Sequence, residues 1–373
     1  MQSSYNFYNL PKKYGKEDYK KASEFIIKRY SSINGLISVY RWGAIDLEPG
    51  ISDMDFVFVF DKSKARPMPL LKRSFLTLNS SLRYIVRHPF CYMDEGSFRN
   101  VGYIYPAAKF QLLCGKNVKI KKLLKQDTYF SKIALLSDII TRHYPRDFIE
   151  QIANKSINVR DSLLRLNSLN YSINSLHLLT GEEYHVWRKK MKDVADLRKN
   201  WFEKEDYSLL VELCKFAVDI SMDIVQEFRD FLDHNKIVKI GKEDKVSYSG
   251  FKNKTLFVKD WNKKNALKQM QNTSFNLKDF CSIMPIELAP QQIEYSKYGG
   301  IISRYIKNHL KGKLDYKIKY PEIIKKRASI LNSQAELANK LKHSDFVAFF
   351  DFGYRSYAGI NNIALNLVRK YRN

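Results

Sequence analysis

Two aspartates, Asp53 and Asp55, stand just before the most apolar run of the chain, Phe56-Val57-Phe58-Val59-Phe60. In an extended strand residues two apart share a face, so both carboxylates project together while Met54 and Phe56 point the other way. Carboxylates that close repel, and one resists ionisation unless a cation lies between them. Placing the pair at the mouth of a buried strand is costly without that compensating charge. A hard divalent cation answers the need: Mg2+, or Mn2+, takes oxygen ligands and is commonly shared with substrate phosphates.

The residues upstream add a second half to this chemistry. Tyr40-Arg41-Trp42 leads into Gly43-Ala44, and the carboxylates follow nine and eleven residues after Ala44. Glycine lets backbone approach a phosphate closely, and exposed amides bind anions. A phosphate cradle facing metal ligands across one hairpin suits phosphoryl or nucleotidyl transfer, where metals offset the developing charge.

Several elements must hold this hairpin. Tyr19, Ala22, Phe25, Ile26 and Tyr30 recur at helical spacing over residues 16–30, and Asn34-Gly35 ends that helix. A strand over 36–40, a turn containing Gly43, Pro49 and Gly50, and a buried strand over 54–60 follow. A helix is expected over 70–86, stopping before His88-Pro89, then strands over 90–93 and 101–105. Residues 107–113 read as a helix ending at Gly115.

Gly43-Ala44, eight residues, then Asp53-Met54-Asp55-Phe56, with a helix before and an apolar strand after, resembles the polymerase-β-type nucleotidyltransferase superfamily. The fragment Pro49-Gly50-Ile51-Ser52-Asp53-Met54-Asp55 is especially similar to members whose motif reads Ser-Asp-hydrophobic-Asp. The resemblance covers roughly residues 16–120. It implies that Asp53 and Asp55 bind two divalent cations and that Gly43 and Ala44 contact the triphosphate of a nucleotide such as ATP. Arg41 and Ser52 are further candidates for nucleotide contact. It also implies a third carboxylate on a later strand, serving as metal ligand or as base for the acceptor hydroxyl. Asp94, after Phe90-Cys91-Tyr92-Met93, is the best-placed candidate, with Glu95 next. Two departures from the family pattern stand out. Ala44 replaces the usual serine, removing a hydroxyl that contacts phosphate, and no hydrophobic-Asp-hydrophobic strand marks the third acid.

The expected fold is α+β. A small mixed-sheet nucleotidyltransferase domain spans 1–125, and a helical domain spans 126–233. A basic, mostly helical region with a β-hairpin spans 234–373 and binds the acceptor. Long helices are expected over 133–143, 159–179, 182–200 and 209–232, where apolar residues recur three and four apart. Residues 236–261 alternate as a hairpin or small sheet should, and 266–373 read as mostly helical apart from Gly299-Gly300 and an aromatic stretch at 346–357.

The 373 residues carry 64 Lys and Arg against 39 Asp and Glu, a net charge of +25 that favours polyanionic partners. Basic runs lie at Arg188–Lys192, at 236–259 and at 311–327, the last interleaved with Tyr305, Tyr316 and Tyr320, a mixture suited to tracking and stacking on RNA. Cys91, Cys114, Cys214 and Cys281 form no Cys-x-x-Cys pair, which points away from structural zinc or a disulfide scaffold and towards a reducing cytoplasm. The polar N-terminus does not read as a secretory leader, and no apolar run suits a membrane span. The expected function is transfer of a nucleoside monophosphate from a nucleoside triphosphate to an acceptor hydroxyl, the acceptor being RNA or another polyanion. Transfer to a small molecule or a protein is the alternative within that class. A catalytically silent module that keeps the fold to bind nucleic acid or a partner is the alternative outside it.

Overall fold

The computed structural model describes residues 5–43, 47–73, 75–87, 90–142, 146–243, 246–249, 254–274 and 281–342. Ala44 and the aromatic stretch at 346–357 lie outside them. The elements begin β1 (Asn6–Tyr8), α1 (Lys16–Tyr30), β2 (Leu36–Trp42), β3 (Asp55–Phe60), α2 (Ser80–Val86), β4 (Cys91–Asp94), α3 (Glu95–Arg99) and β5 (Phe110–Gly115). Next come α4 (Lys125–Arg142), α5 (Arg146–Ala153), β6 (Ser156–Asn158), α6 (Val159–Thr180), α7 (His185–Lys199) and α8 (Tyr207–His234). Then follow β7 (Val238–Glu243), β8 (Val246–Ser249), β9 (Lys254–Val258), α9 (Lys263–Ser274) and β10 (Cys281–Pro285). The last are α10 (Ala289–Tyr295), α11 (Gly300–His309), β11 (Leu310–Lys311), β12 (Leu314–Ile318) and α12 (Pro321–Leu341). The fold is α+β with mixed sheets. No helix among the described residues is long and apolar enough to cross a membrane.

The chain divides into two compact units. The sheet unit comprises Lys12–Ser131 and the described part of Lys326–Asn373, and the helical unit comprises Met1–Pro11 with Lys132–Lys325. This differs from the three consecutive segments expected at 1–125, 126–233 and 234–373. Residues 132–325, helices and hairpin together, form one unit, and the end of α12 belongs with the N-terminal sheet because Leu337 and Leu341 are buried in that sheet's core.

In the sheet unit four strands run in the order β4-β3-β2-β5. β2 pairs antiparallel with both β3 and β5, while β3 and β4 are parallel. Phe56, Phe58 and Phe60 present one face of β3 to a core that includes Tyr19, Ile26 and Tyr30 of α1 and Leu82 and Ile85 of α2. Burying each such side chain stabilises the unit by about 1.5–3 kcal/mol. α1 forms where the spacing predicts it. Its acidic first turn (Glu17, Asp18) and basic last turn (Lys28, Arg29) suit the helix dipole, and Asp18 accepts the Gly15 N–H at 2.7 Å.

Three expectations fail here. Residues 70–86 hold two single 3-10 turns and a helix only over Ser80–Val86, and Val101–Tyr103 is a 3-10 turn instead of a strand. The segment expected as a helix over 107–113 contains β5, whose backbone pairs with β2. Its apolar run is too short for periodicity to separate helix from strand, and the open edge of β2 decides the outcome.

In the helical unit α6, α7 and α8 lie at the expected positions and pack on one another. β8 and β9 form the expected hairpin. β10 extends it in parallel and β11 adds on the other side, so the region after residue 266 contributes strands as well as helices.

Candidate functional site

The turn before β3 is held by two tyrosines. Tyr19 of α1 donates its hydroxyl to the Ser52 carbonyl at 2.5 Å and accepts the Gly50 N–H at 3.1 Å. Tyr84 of α2 donates to the Gly50 carbonyl at 2.6 Å. Met54 N–H donates to the Ile85 carbonyl at 2.9 Å, which fixes the backbone between the two aspartates. Hydroxyls on two helices that each bury one face against the sheet therefore pin the segment carrying Asp53.

Asp55 opens β3, and Trp42, the last residue of β2, lies opposite it. The next residue, Gly43, has φ +93°, and a Cβ built there would lie 3.7 Å from Asp55 Oδ2. Glycine thus takes the left-handed backbone at no steric cost and leaves room beside the carboxylate. Asp53, 14 % exposed, faces the Arg87 guanidinium at 3.7 Å. Arg87 sits at φ +63° after α2, where its N–H caps the helix by donating to Arg83 O at 2.9 Å. A non-glycine residue at positive φ is uncommon and carries local strain, which tertiary structure must hold. Sequence reading passed over Arg87; its place directly before His88-Pro89, where a helix must stop, was the available signal.

The other sequence candidates fall elsewhere. Arg41 is opposite Phe56 in the β2–β3 register, on the face away from Asp55. Ser52 is buried, and its hydroxyl accepts the Glu48 N–H at 3.0 Å within the turn, a structural use. Ala44 lies outside the described residues.

Asp94 is not brought to Asp53 and Asp55. β4 runs parallel to β3 with Asp94 level with Phe60, five residues beyond Asp55, or about 16 Å at strand rise. Its carboxylate caps α3 by accepting the Ser97 N–H at 2.9 Å, and it also accepts the hydroxyls of Ser97 at 2.5 Å and Ser333 at 2.7 Å. Burial works to raise its pKa, but these bonds and the Lys62 charge outweigh it and hold the carboxyl below its ordinary value. Glu95 pairs with Arg99 at 2.5 Å. The strand that does reach the level of Asp55 across β2 is β5, through Phe110 opposite Trp42, and it carries Phe110, Gln111 and Leu112 with no acid.

Among the described residues no group of three or more His, Cys, Asp or Glu could hold a metal by itself. The pair that could supply ligands is Asp53 and Asp55. That set fits a cation completed by substrate phosphates, as Mg2+ commonly is, and does not form an all-protein cage. On the same sheet face, opposite Val57, lies the buried thiol of Cys91, which accepts a hydrogen bond from Gln334 Nε2 at 3.2 Å. Burial pushes that thiol well up; the Gln334 bond opposes the shift and the Asp55 charge adds to it.

The expected RNA-stacking mixture at 311–327 is largely committed to structure. Tyr316 donates to Glu294 at 2.6 Å under the Lys297 ammonium, Tyr320 is buried and donates to Gln291, and Arg327 is fully buried against the carbonyls of Tyr103 and Ile104. Lys326 pairs with Asp127 at 3.1 Å.

No family model, curated protein or solved structure matches the chain.

Proposed function

We propose that the chain is a metal-dependent nucleotidyltransferase. The observation that carries this reading is Gly43 at positive φ beside the Asp55 carboxylate, with Asp53 two residues before it on a turn pinned by Tyr19 and Tyr84. The triphosphate would lie along the Gly43 turn. Asp53 and Asp55 would hold Mg2+ (or Mn2+) shared with its phosphates, and Arg87 would balance charge beside Asp53. The bound cation would offset the charge that develops as the α-phosphorus passes from pyrophosphate to an acceptor hydroxyl. The acceptor hydroxyl forms the new P–O bond and gives its proton to solvent water, and pyrophosphate leaves with the electron pair of the old one. The surplus of positive charge favours RNA or another polyanion as acceptor.

The test is incorporation of label from each α-labelled triphosphate into total RNA, protein or small molecules, with Asp53→Ala and Asp55→Ala alongside wild type. Loss of incorporation in both variants, with circular dichroism unchanged, supports the assignment; undiminished incorporation sinks it. The placement of Asp94 away from the pair favours a second reading, a silent module that binds triphosphate without transferring it. Magnesium-linked triphosphate binding with no incorporation into any acceptor would select that reading.

A further inference from the structure

On the sheet face that carries Asp55, a cavity of about 340 Å3 opens between the turn after α3 and the segment leading into α4. Tyr105, Phe110 and Leu123 line its apolar side, and Lys121, Lys122 and Lys125, all exposed, line its rim. Trp42 links the wall of the cavity to the strand that carries Asp55. Trp42 lies opposite Asp55 in the sheet, its ring is 4.8 Å from Tyr105 edge to face, and it stacks on Phe110 at 6.4 Å. The lysine segment is fixed in place, because Lys121 N–H donates to the Arg99 carbonyl at 2.7 Å.

We infer that this cleft is the seat of the acceptor, and that it takes the end of a single-stranded polynucleotide. The inference deepens the nucleotidyltransferase reading and rests on it for what the strand end presents to Asp53 and Asp55. An aromatic wall under a cationic rim matches a planar base joined to phosphate, since stacking accepts any base and lysine tracks the backbone. A volume near the lower end of ligand pockets admits one unstacked base and excludes a duplex. Lys116 and Lys119, also exposed, precede the lining lysines in the chain and add positive charge for a longer strand. An acidic peptide would answer the lysines but make no use of the aromatic wall.

Fluorescence anisotropy of labelled single-stranded oligonucleotides of about 12 nucleotides, RNA and DNA, tests the cleft on the full chain. The titration is run in EDTA without triphosphate. Failure of the metal-site reading therefore leaves this assay untouched, and a failed cleft leaves triphosphate binding untouched. Lys121→Ala, Lys122→Ala and Lys125→Ala combined should weaken binding and flatten its dependence on log salt by about 2, three charges at about 0.7 each. Tyr105→Ala should weaken binding roughly 5- to 150-fold, the loss of one stacked base, and Tyr105→Phe should restore it, separating stacking from a folding defect. The proposal is overturned if the lysine triple variant binds with the wild-type salt slope. It is equally overturned if Lys20→Ala, Lys21→Ala and Lys28→Ala on α1 weaken binding as much, or if duplex RNA binds as tightly as the single strand.

Discussion

Asp94→Ala removes the N-cap of α3 and an anchor of α12 together, because one carboxylate serves both. The lost Ser97 N–H cap is worth about 1 kcal/mol. The Ser97 and Ser333 hydroxyls each lose a bond to a charged acceptor, worth about 1.5 kcal/mol at the low end of such bonds. Water reaches this partly exposed group and replaces some of the loss, so the net cost is about 3 kcal/mol. Asp94→Asn keeps an acceptor oxygen for the cap and should cost about half as much. Urea titration followed by hydrogen exchange in β3 and β4 peptides reports on this unit alone; at an m-value of about 3 kcal/mol/M, the midpoint falls by about 1 M. Because the folded carboxyl titrates below its unfolded value near 3.8, its contribution is complete above that pH and is lost as pH falls through the lower folded value. The wild type–variant gap should therefore be full at neutral pH and close only in strong acid. Magnesium-linked triphosphate affinity of the folded variant should equal wild type. An unchanged midpoint, or a folded variant that has lost that affinity, would refute a structural Asp94 and return it to the catalytic set.

Two further substitutions or probes follow from the geometry. Gly43→Val places a branched side chain at φ +93°, costing about 1–2 kcal/mol for the left-handed backbone, and brings its Cβ into van der Waals contact with Asp55 Oδ2; triphosphate affinity measured by anisotropy should fall more than the urea midpoint does. Cys91 and Cys214 are buried, which pushes their thiols well up, Cys214 to about 12, whereas Cys114, raised by a lesser burial, and Cys281 are only half-buried; iodoacetamide at pH 8 should therefore label Cys281 and Cys114 faster than the other two in the native chain, as read by peptide mass spectrometry. Rapid native labelling of Cys91 would contradict the packing of Gln334 over β4.

Much of the sheet unit is written in local pattern. α1 follows from a five-residue apolar stripe, of which all but the exposed Phe25 are buried, and β3 from five consecutive apolar, β-prone residues that only a covered central strand can use. Asp53 and Asp55 stand out in the sequence for the same reason, since charges at the mouth of such a run need a partner, and Asp55 does open that strand. Properties that depend on which strand lies beside which were not legible. Asp94 read as a third ligand because it ends an apolar strand, but a parallel neighbour carries its C-terminal end away from the start of β3, whereas an antiparallel one would have returned it. β5 read as helix because a short apolar run has no period of its own, and the free edge of β2 supplied the partner that decided it. Arg87 owes its place beside Asp53 to a left-handed residue at a helix end. The tyrosines among the basic runs suggested stacking, yet burial and Glu294 claim Tyr316 and Tyr320. The sequence alone determined which side chains are on offer, because charge and hydropathy are properties of single residues. Only the tertiary structure decided which of those residues meet, because register, strand direction and burial belong to pairs far apart in the chain.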